Sequence, residues 1–171
     1  MQLTGQQIFE EGIIFGIGEE NAIQQQGIDV RLKSVRGFEY GDGYVPCKGK
    51  TQIPSTYVKK PDYNYATEIG EYHLLPGYYE LEFCEGCKIP NNRVMGFKTR
   101  SSLVRCGAIV HSGQFDGGFE TENMGAFLHV IKPITIQEGA RVAQAIINES
   151  YEVSENNMYN GQWQNDKQRN V

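Results

Sequence analysis

No apolar run in this 171-residue chain reaches the roughly 20 residues that a bilayer-spanning helix needs. The opening Met1-Gln2-Leu3-Thr4-Gly5-Gln6-Gln7 lacks the basic and apolar regions of a secretory signal. A soluble, cytoplasmic protein (host cytoplasm if viral) without a membrane partner is expected. Basic tracts are missing too: the formal net charge is −5. The informative cations, Lys98, Arg100, Arg105 and Arg141, are local, which suits a small phosphorylated ligand better than a nucleic-acid polymer. Cysteine is scarce. Cys47, Cys84, Cys87 and Cys106 read as free thiols in a reducing compartment. Cys84-Glu85-Gly86-Cys87 is a single CxxC, whereas a structural zinc wants two more ligands. Cys106 and His111 could supply them, but no spacing predicts it. The CxxC reads as a surface turn.

Helix signal is almost absent from the first hundred residues. Thr4 followed by Gly5-Gln6-Gln7-Ile8-Phe9-Glu10-Glu11 forms the exception, a short helix with Gln7 in the capping-box position and Gly12 ending it. Beyond it, Gly, Pro and Asn recur between short runs of Val, Ile, Tyr and Phe, the pattern of an all-β sandwich or barrel. Strands are expected at residues 28–32, 78–83, 94–99, 108–112, 126–130 and 141–148. The polar, Tyr- and Gly-rich stretch 41–65 reads as a surface excursion or long hairpin. No internal repeat is visible. Residues 1–150 are expected as one folded domain, and the Asn/Gln-rich 151–171 as a flexible tail, with Trp163 its docking residue.

The chemistry concentrates in residues 98–119. Lys98-Thr99-Arg100-Ser101-Ser102-Leu103-Val104-Arg105 puts guanidinium forks, hydroxyls and backbone N–H groups where a strand gives way to a short helix, as a triphosphate requires. A capped turn with a surface arginine fits the same residues. Next comes His111-Ser112-Gly113-Gln114-Phe115-Asp116-Gly117-Gly118-Phe119. Asp116-Gly117 reads as a hairpin turn, yet the tip is already rich in glycine and does not need the aspartate.

These segments resemble the dUTPase/dCTP deaminase superfamily, most of all archaeal-type dUTPases. Five segments carry the resemblance in order: Gln26-Gly27-Ile28-Asp29-Val30-Arg31-Leu32, Arg100 through Gly107, His111 through Phe119, Gly139-Ala140-Arg141-Val142-Ala143-Gln144, and Tyr159-Asn160-Gly161-Gln162-Trp163-Gln164. The resemblance implies an all-β, distorted jelly-roll-like barrel. It implies a homotrimer with three active sites between subunits. It places Arg100, Ser101 and Ser102 on the phosphates and Arg105 there or at a subunit contact. Gln144 falls on the phosphate side, with Arg141 in support. The hairpin of His111, Ser112, Gly113 and Phe115 reads the pyrimidine edge, and Tyr159, Gln162 and Trp163 close over the nucleotide.

By the same resemblance, Asp116 is the catalytic aspartate of a dUTP hydrolase that yields dUMP and pyrophosphate. An aspartate is ionised at neutral pH and can orient and partly deprotonate a water. Mg2+ is expected on the phosphates and waters with no direct protein ligand, which leaves Asp29 structural or in the outer shell. Phe119 falls where the family packs an aromatic on the sugar, although a core phenylalanine beside a turn explains it equally. A deaminase would need a glutamate where Leu128-His129-Val130 stands, leaving Glu120 or Glu122 as substitutes. Thr121 replaces a usual glycine, so a dCTP pyrophosphatase stays open. A non-catalytic nucleotide-sensing or protein-binding module is the reading from another class.

Overall fold

Residues 1–39, 41–161 and 164 are described by a computed structural model of the chain. Helix α1 (Gly5–Glu10) starts on Thr4, and both halves of its capping box form. The Gln7 N–H donates to Thr4 Oγ1 at 3.2 Å, and the Thr4 N–H donates to Gln7 Oε1 at 2.9 Å. Gly12, at φ +64°, terminates the turn in the left-handed conformation that glycine adopts without strain.

The remainder is mostly strand: β1 (Ile14–Phe15), β2 (Ile23–Gln24), β3 (Gly27–Phe38), β4 (Thr56–Val58), β5 (Asp62–Asn64), β6 (Ile69–Leu74), β7 (Gly77–Phe83), β8 (Gly86–Lys88) and β9 (Arg93–Thr99). A short helix α2 (Ser101–Arg105) interrupts them. Then follow β10 (Ala108–His111), β11 (Glu120–Thr121), β12 (Gly125–Val130), β13 (Ile134–Gln137) and β14 (Arg141–Glu149). The main sheet runs β10-β12-β7-β3-β14-β9, with β2 and β4 added on β3. Its inward side chains, among them Ile28, Val30, Leu32, Leu81, Phe83, Leu128, Ala143, Ala145 and Ile147, are fully buried. Burial of this continuous apolar face is the main force holding the barrel.

The two end strands of that sheet, β9 and β10, meet through side chains instead of a backbone ladder. Thr99 Oγ1 donates to Val110 O at 3.0 Å and accepts from Val110 N at 2.9 Å. The Phe97 N–H donates to Ser112 Oγ at 3.0 Å. Further along, Met95 and Phe115 exchange both backbone hydrogen bonds, at 3.0 and 2.8 Å. The barrel is thereby nearly closed, as the all-β expectation required.

Several expectations need correction. Strand β3 extends well past residue 32, because its pattern changes from continuous burial to alternation at a bulge between Leu32 and Ser34. Strands β6 and β13 were not anticipated; they pair with each other, and β5 joins at the far edge of β6. Stretch 41–65 is largely exposed with a Tyr44–Gln52 bridge, yet its end docks on the main sheet as β4. The CxxC is not a surface turn: Glu85 and Cys87 are fully buried. Glu85 accepts from the Arg31 N–H at 2.8 Å and from Arg31 Nε at 2.7 Å, so the turn is sunk around an ion pair.

The segment after residue 150 is anchored along its described length. The Ser150 and Val153 N–H groups donate to Asn92 and Asn91 O, each at 3.0 Å, and the Tyr159 N–H donates to Gly117 O at 3.0 Å. Its Asn/Gln composition suggested a free tail because these bonds are to backbone and leave no apolar periodicity behind.

Candidate active site

At the C-terminal end of β9 four residues from three strands converge. Asp29 of β3 stands opposite Gln144 of β14, and its carboxylate is only 2% exposed. Arg100 Nε lies 3.2 Å from Asp29 Oδ2, Arg141 Nη1 lies 3.6 Å from the same oxygen, and Gln144 Nε2 donates to Oδ1 at 3.4 Å. Arg100 Nη1 also donates to Arg141 O at 3.2 Å, and Arg141 Nη1 to Asn21 O at 2.9 Å. Asp29 Oδ2 faces the guanidinium groups as an ion-pair partner without a well-directed hydrogen bond. Burial raises the Asp29 pKa above its ordinary value, and the opposing pull of Arg100, Arg141 and Gln144 does not offset it. Both arginines remain about one-third exposed, 31% for Arg100 and 32% for Arg141, so each still has a face for an anion.

Arg100 is also the N-cap of α2 and makes no side-chain cap bond. The first-turn N–H groups of a helix have no intrahelical acceptor. Here they sit beside Ser101 and Ser102, whose side chains are exposed. Arg105, in the last turn of α2, is exposed and stands outside the Asp29 cluster.

The second group is the turn after β10. Asp116 is exposed, and Gln114 Nε2 donates to its Oδ1 at 2.7 Å. The Phe119 N–H donates to Asp116 O at 3.1 Å and closes the turn. His111 is exposed, and Gly113 has open space around it. Ser112 instead commits its hydroxyl to the barrel seam. Aromatic rings connect the turn to the core in edge-to-face steps: Phe83 to Phe97 at 5.0 Å, Phe97 to Phe115 at 5.4 Å, Phe115 to Phe119 at 5.2 Å, and Phe119 to Tyr159 at 5.3 Å. Phe119 is thus packed between two rings, one from the core side and one from the tail. Gln162 and Trp163 lie outside the described residues.

The two groups occupy opposite ends of β9. Phe115 faces Met95, and Arg100 is five residues further on, roughly 16 Å at a rise of about 3.3 Å per residue. Sequence reasoning missed that Asp29 anchors Arg100 and Arg141, and it missed Gln164, whose side-chain amide reaches Gly118 O at 2.7 Å. Both fall in segments that carry the resemblance, but their roles were not legible there because each acts through partners remote in sequence. Among the described residues no three His, Cys, Asp or Glu side chains gather as a metal site, and no helix is long and apolar enough to cross a membrane.

The family model described as dCTP deaminase-like matches residues 4–150. The chain belongs to the dCTP deaminase-like family. A Halobacterium salinarum protein named as a probable deoxyuridine 5′-triphosphate nucleotidohydrolase is 31% identical over 151 residues, covering 86% of each chain. A Methanocaldococcus jannaschii protein named deoxyuridine 5′-triphosphate nucleotidohydrolase is 34% identical over 137 residues, 79% of this chain and 83% of its own. Among solved structures, the 2′-deoxycytidine 5′-triphosphate deaminase of Agrobacterium tumefaciens shares the fold with a TM-score of 0.59 at 15% identity. That match covers 85% of this chain and 47% of the deaminase chain. The segment where a deaminase glutamate was expected, Leu128-His129-Val130, lies on β12, where Leu128 and Val130 enter the core and His129 stacks on Tyr78 at 4.6 Å. Of the substitute carboxylates, Glu120 is paired with Lys88 at 3.3 Å and Glu122 is exposed.

Proposed function

We propose that this chain is a dUTP nucleotidohydrolase, a dUTP diphosphatase acting in the cytoplasm. Its curated relatives bear that name at about this level of identity over most of the chain. The observation that carries the reading is Asp116: an exposed carboxylate on a turn that is fixed by backbone bonds and edge-to-face rings. Asp116 takes a proton from water as the water oxygen bonds to the α-phosphorus. The bond from that phosphorus to the bridging oxygen of the β-phosphate breaks, and pyrophosphate leaves with dUMP as the other product. Positioning and charge neutralisation are the main demands of such a step.

Arg100, Ser101, Ser102 and Gln144 hold the phosphates in this reading, and Arg141 orients Arg100 through Asp29. Residues 111–115 read the base by their backbone. Mg2+ would be held mainly by the phosphates and waters and, when bound, would neutralise triphosphate charge. A homotrimer is proposed in which Arg100 of one copy and Asp116 of another share a nucleotide. The separation of the two groups along β9 supports this, because it leaves each half of the site facing outward for a neighbour. Residues 151–171, including Tyr159, Gln162 and Trp163, form the closing tail of the domain 1–150.

A second reading, dCTP deamination, draws on the family description and the shared fold. The purified protein is incubated with Mg2+ and dUTP, dCTP, dTTP or UTP, and products are separated by chromatography. dUMP and pyrophosphate from dUTP, with UTP spared, is the expected outcome. Conversion of dCTP to dUTP or dUMP moves the assignment to the deaminase and to Glu120 and Glu122. Pyrophosphate from dCTP with the cytosine intact identifies a dCTP pyrophosphatase. Binding without turnover identifies a nucleotide-sensing module.

A further inference from the structure

The turn carrying Asp116 is confined by backbone on two sides. A side chain at Gly117 would meet Asn91 Cα and O at 3.0 Å, so this flank lies flat against Pro90 and Asn91. Gly118 adopts φ +91°, and a Cβ there would meet Met158 Cβ at 2.9 Å. The C-terminal segment therefore rests directly on the turn's backbone, with no room for a side chain between them.

Across this contact Gln164 places a complete amide. Its Nε2 donates to Gly118 O at 2.7 Å, and its Oε1 accepts from the Glu120 N–H at 3.3 Å. One side chain thus pairs with two backbone positions flanking Phe119, as a peptide group of a neighbouring strand would. Phe119 is tied in turn to Asp116 by its own N–H. Any shift of residues 118–120 is passed to the backbone of Asp116 through that bond.

The geometry points to Gln164 as a positioning residue for Asp116. It braces the C-terminal flank of the turn, so that the carboxylate is presented to the attacking water from a single backbone conformation. This role rests on the assignment of Asp116 as the group that activates water. It differs from closing over the nucleotide, because Gln164 reaches the protein's own turn.

The test compares the full-length wild type with Gln164→Ala and Gln164→Glu. Three quantities are read: kcat and KM for dUTP with Mg2+, hydrogen exchange at the Glu120 amide, and Tm. Two lost neutral hydrogen bonds lower the population of the ordered turn, so Gln164→Ala is expected to lose about tenfold in kcat. KM stays within about twofold, since uniform binding is untouched. The Glu120 amide exchanges faster, while Tm holds. Gln164→Glu keeps the acceptor for the Glu120 N–H but sets a carboxylate against the Gly118 carbonyl, and its kcat falls between the other two. An unchanged kcat with unchanged Glu120 exchange overturns the brace. A raised KM with kcat intact also overturns it, because Gln164 would then serve binding alone. A kcat loss that only tracks a lowered Tm does the same. If the wild type does not turn over dUTP, the functional reading fails, and exchange at Glu120 in Gln164→Ala still decides the brace by itself.

Discussion

At the Arg100 end of β9 charges are held by charges; at the Met95 end Asp116 is held by backbone and rings. The first group is woven into the barrel. Asp29, Arg141 and Gln144 sit on the central strands β3 and β14, and Arg100 follows β9 directly. The second is a loop whose order is supplied by Pro90 and Asn91 on one flank and by Met158, Tyr159 and Gln164 on the other. The contrast matches what the proposed function asks of each group. A phosphate cradle needs fixed cations before the ligand arrives, and burying an aspartate beneath them fixes their direction. A carboxylate that works on water must stay exposed and ionised, so its precision has to come from the chain around it.

The comparison breaks most sharply at Asp116. Asp116→Asn keeps the shape of the side chain and removes the base. Loss of general-base assistance is expected to lower kcat by about 10²- to 10⁴-fold, with nucleotide affinity retained. Pyrophosphate release and binding calorimetry on the same preparation check this, and normal turnover by the variant would sink the site assignment.

Asp29→Asn probes the other end and should do the reverse. With the carboxylate gone, Arg100 and Arg141 lose their common anchor, and KM is expected to rise about tenfold, the scale of one charge-assisted hydrogen bond. Stability should not fall. The folded-state pKa of Asp29 is raised above the ordinary 3.8 because burial outweighs its cationic neighbours. The stability it contributes is therefore fully present below about pH 3.8 and is lost as pH rises through the folded value. The neutral asparagine escapes that loss. The Tm of the variant relative to wild type should therefore increase from about pH 4 towards pH 7, as thermal melts across that range would reveal. A variant that melts well below wild type at pH 7 would mean that the arginines repay the burial in full.

The smallest effect sharpens the account of the rings. Phe119→Leu, Tyr159→Leu and the double variant form a cycle in which the edge-to-face pair is expected to couple by about 1 kcal/mol. Denaturant melts measure it. A coupling near zero would leave the tail held by its hydrogen bonds alone.

How much of this could be read from the residues depended on distance along the chain. The α1 cap was legible because Thr4 and Gln7 are three residues apart and satisfy each other. Strands β7, β12 and β14 were legible from short apolar runs between turn residues. Strands β6 and β13 were not, since each is short and partly exposed and their partnership is made between segments far apart in the chain. Arg100, Ser101, Ser102, Gln144 and Asp116 were named from motif order, and the structure gathers Arg100 with Gln144 as the motifs suggest. What no motif showed was why Arg100 points where it does. That answer is Asp29, which the sequence leaves as structural or in the outer shell, and whose burial beneath both arginines makes it their anchor. The contacts of the described part of the tail were illegible for a similar reason: they are made to backbone groups of Asn91, Asn92 and Gly117, and composition carries no trace of them.

The pairing of β3 with β14 also sets the order in which the molecule can be made. Gln144 lies 115 residues after Asp29. While the chain emerges from a ribosome, β3 must wait with one edge open until the 115 residues that follow Asp29, up to Gln144, have been synthesised. Contacts of such long sequence separation are slow to form, and unpaired strand edges invite aggregation in the interval. The cluster of Asp29, Arg100, Arg141 and Gln144 is accordingly completed among the last parts of the barrel, and a nascent chain stalled before β14 would carry the Asp116 turn without it.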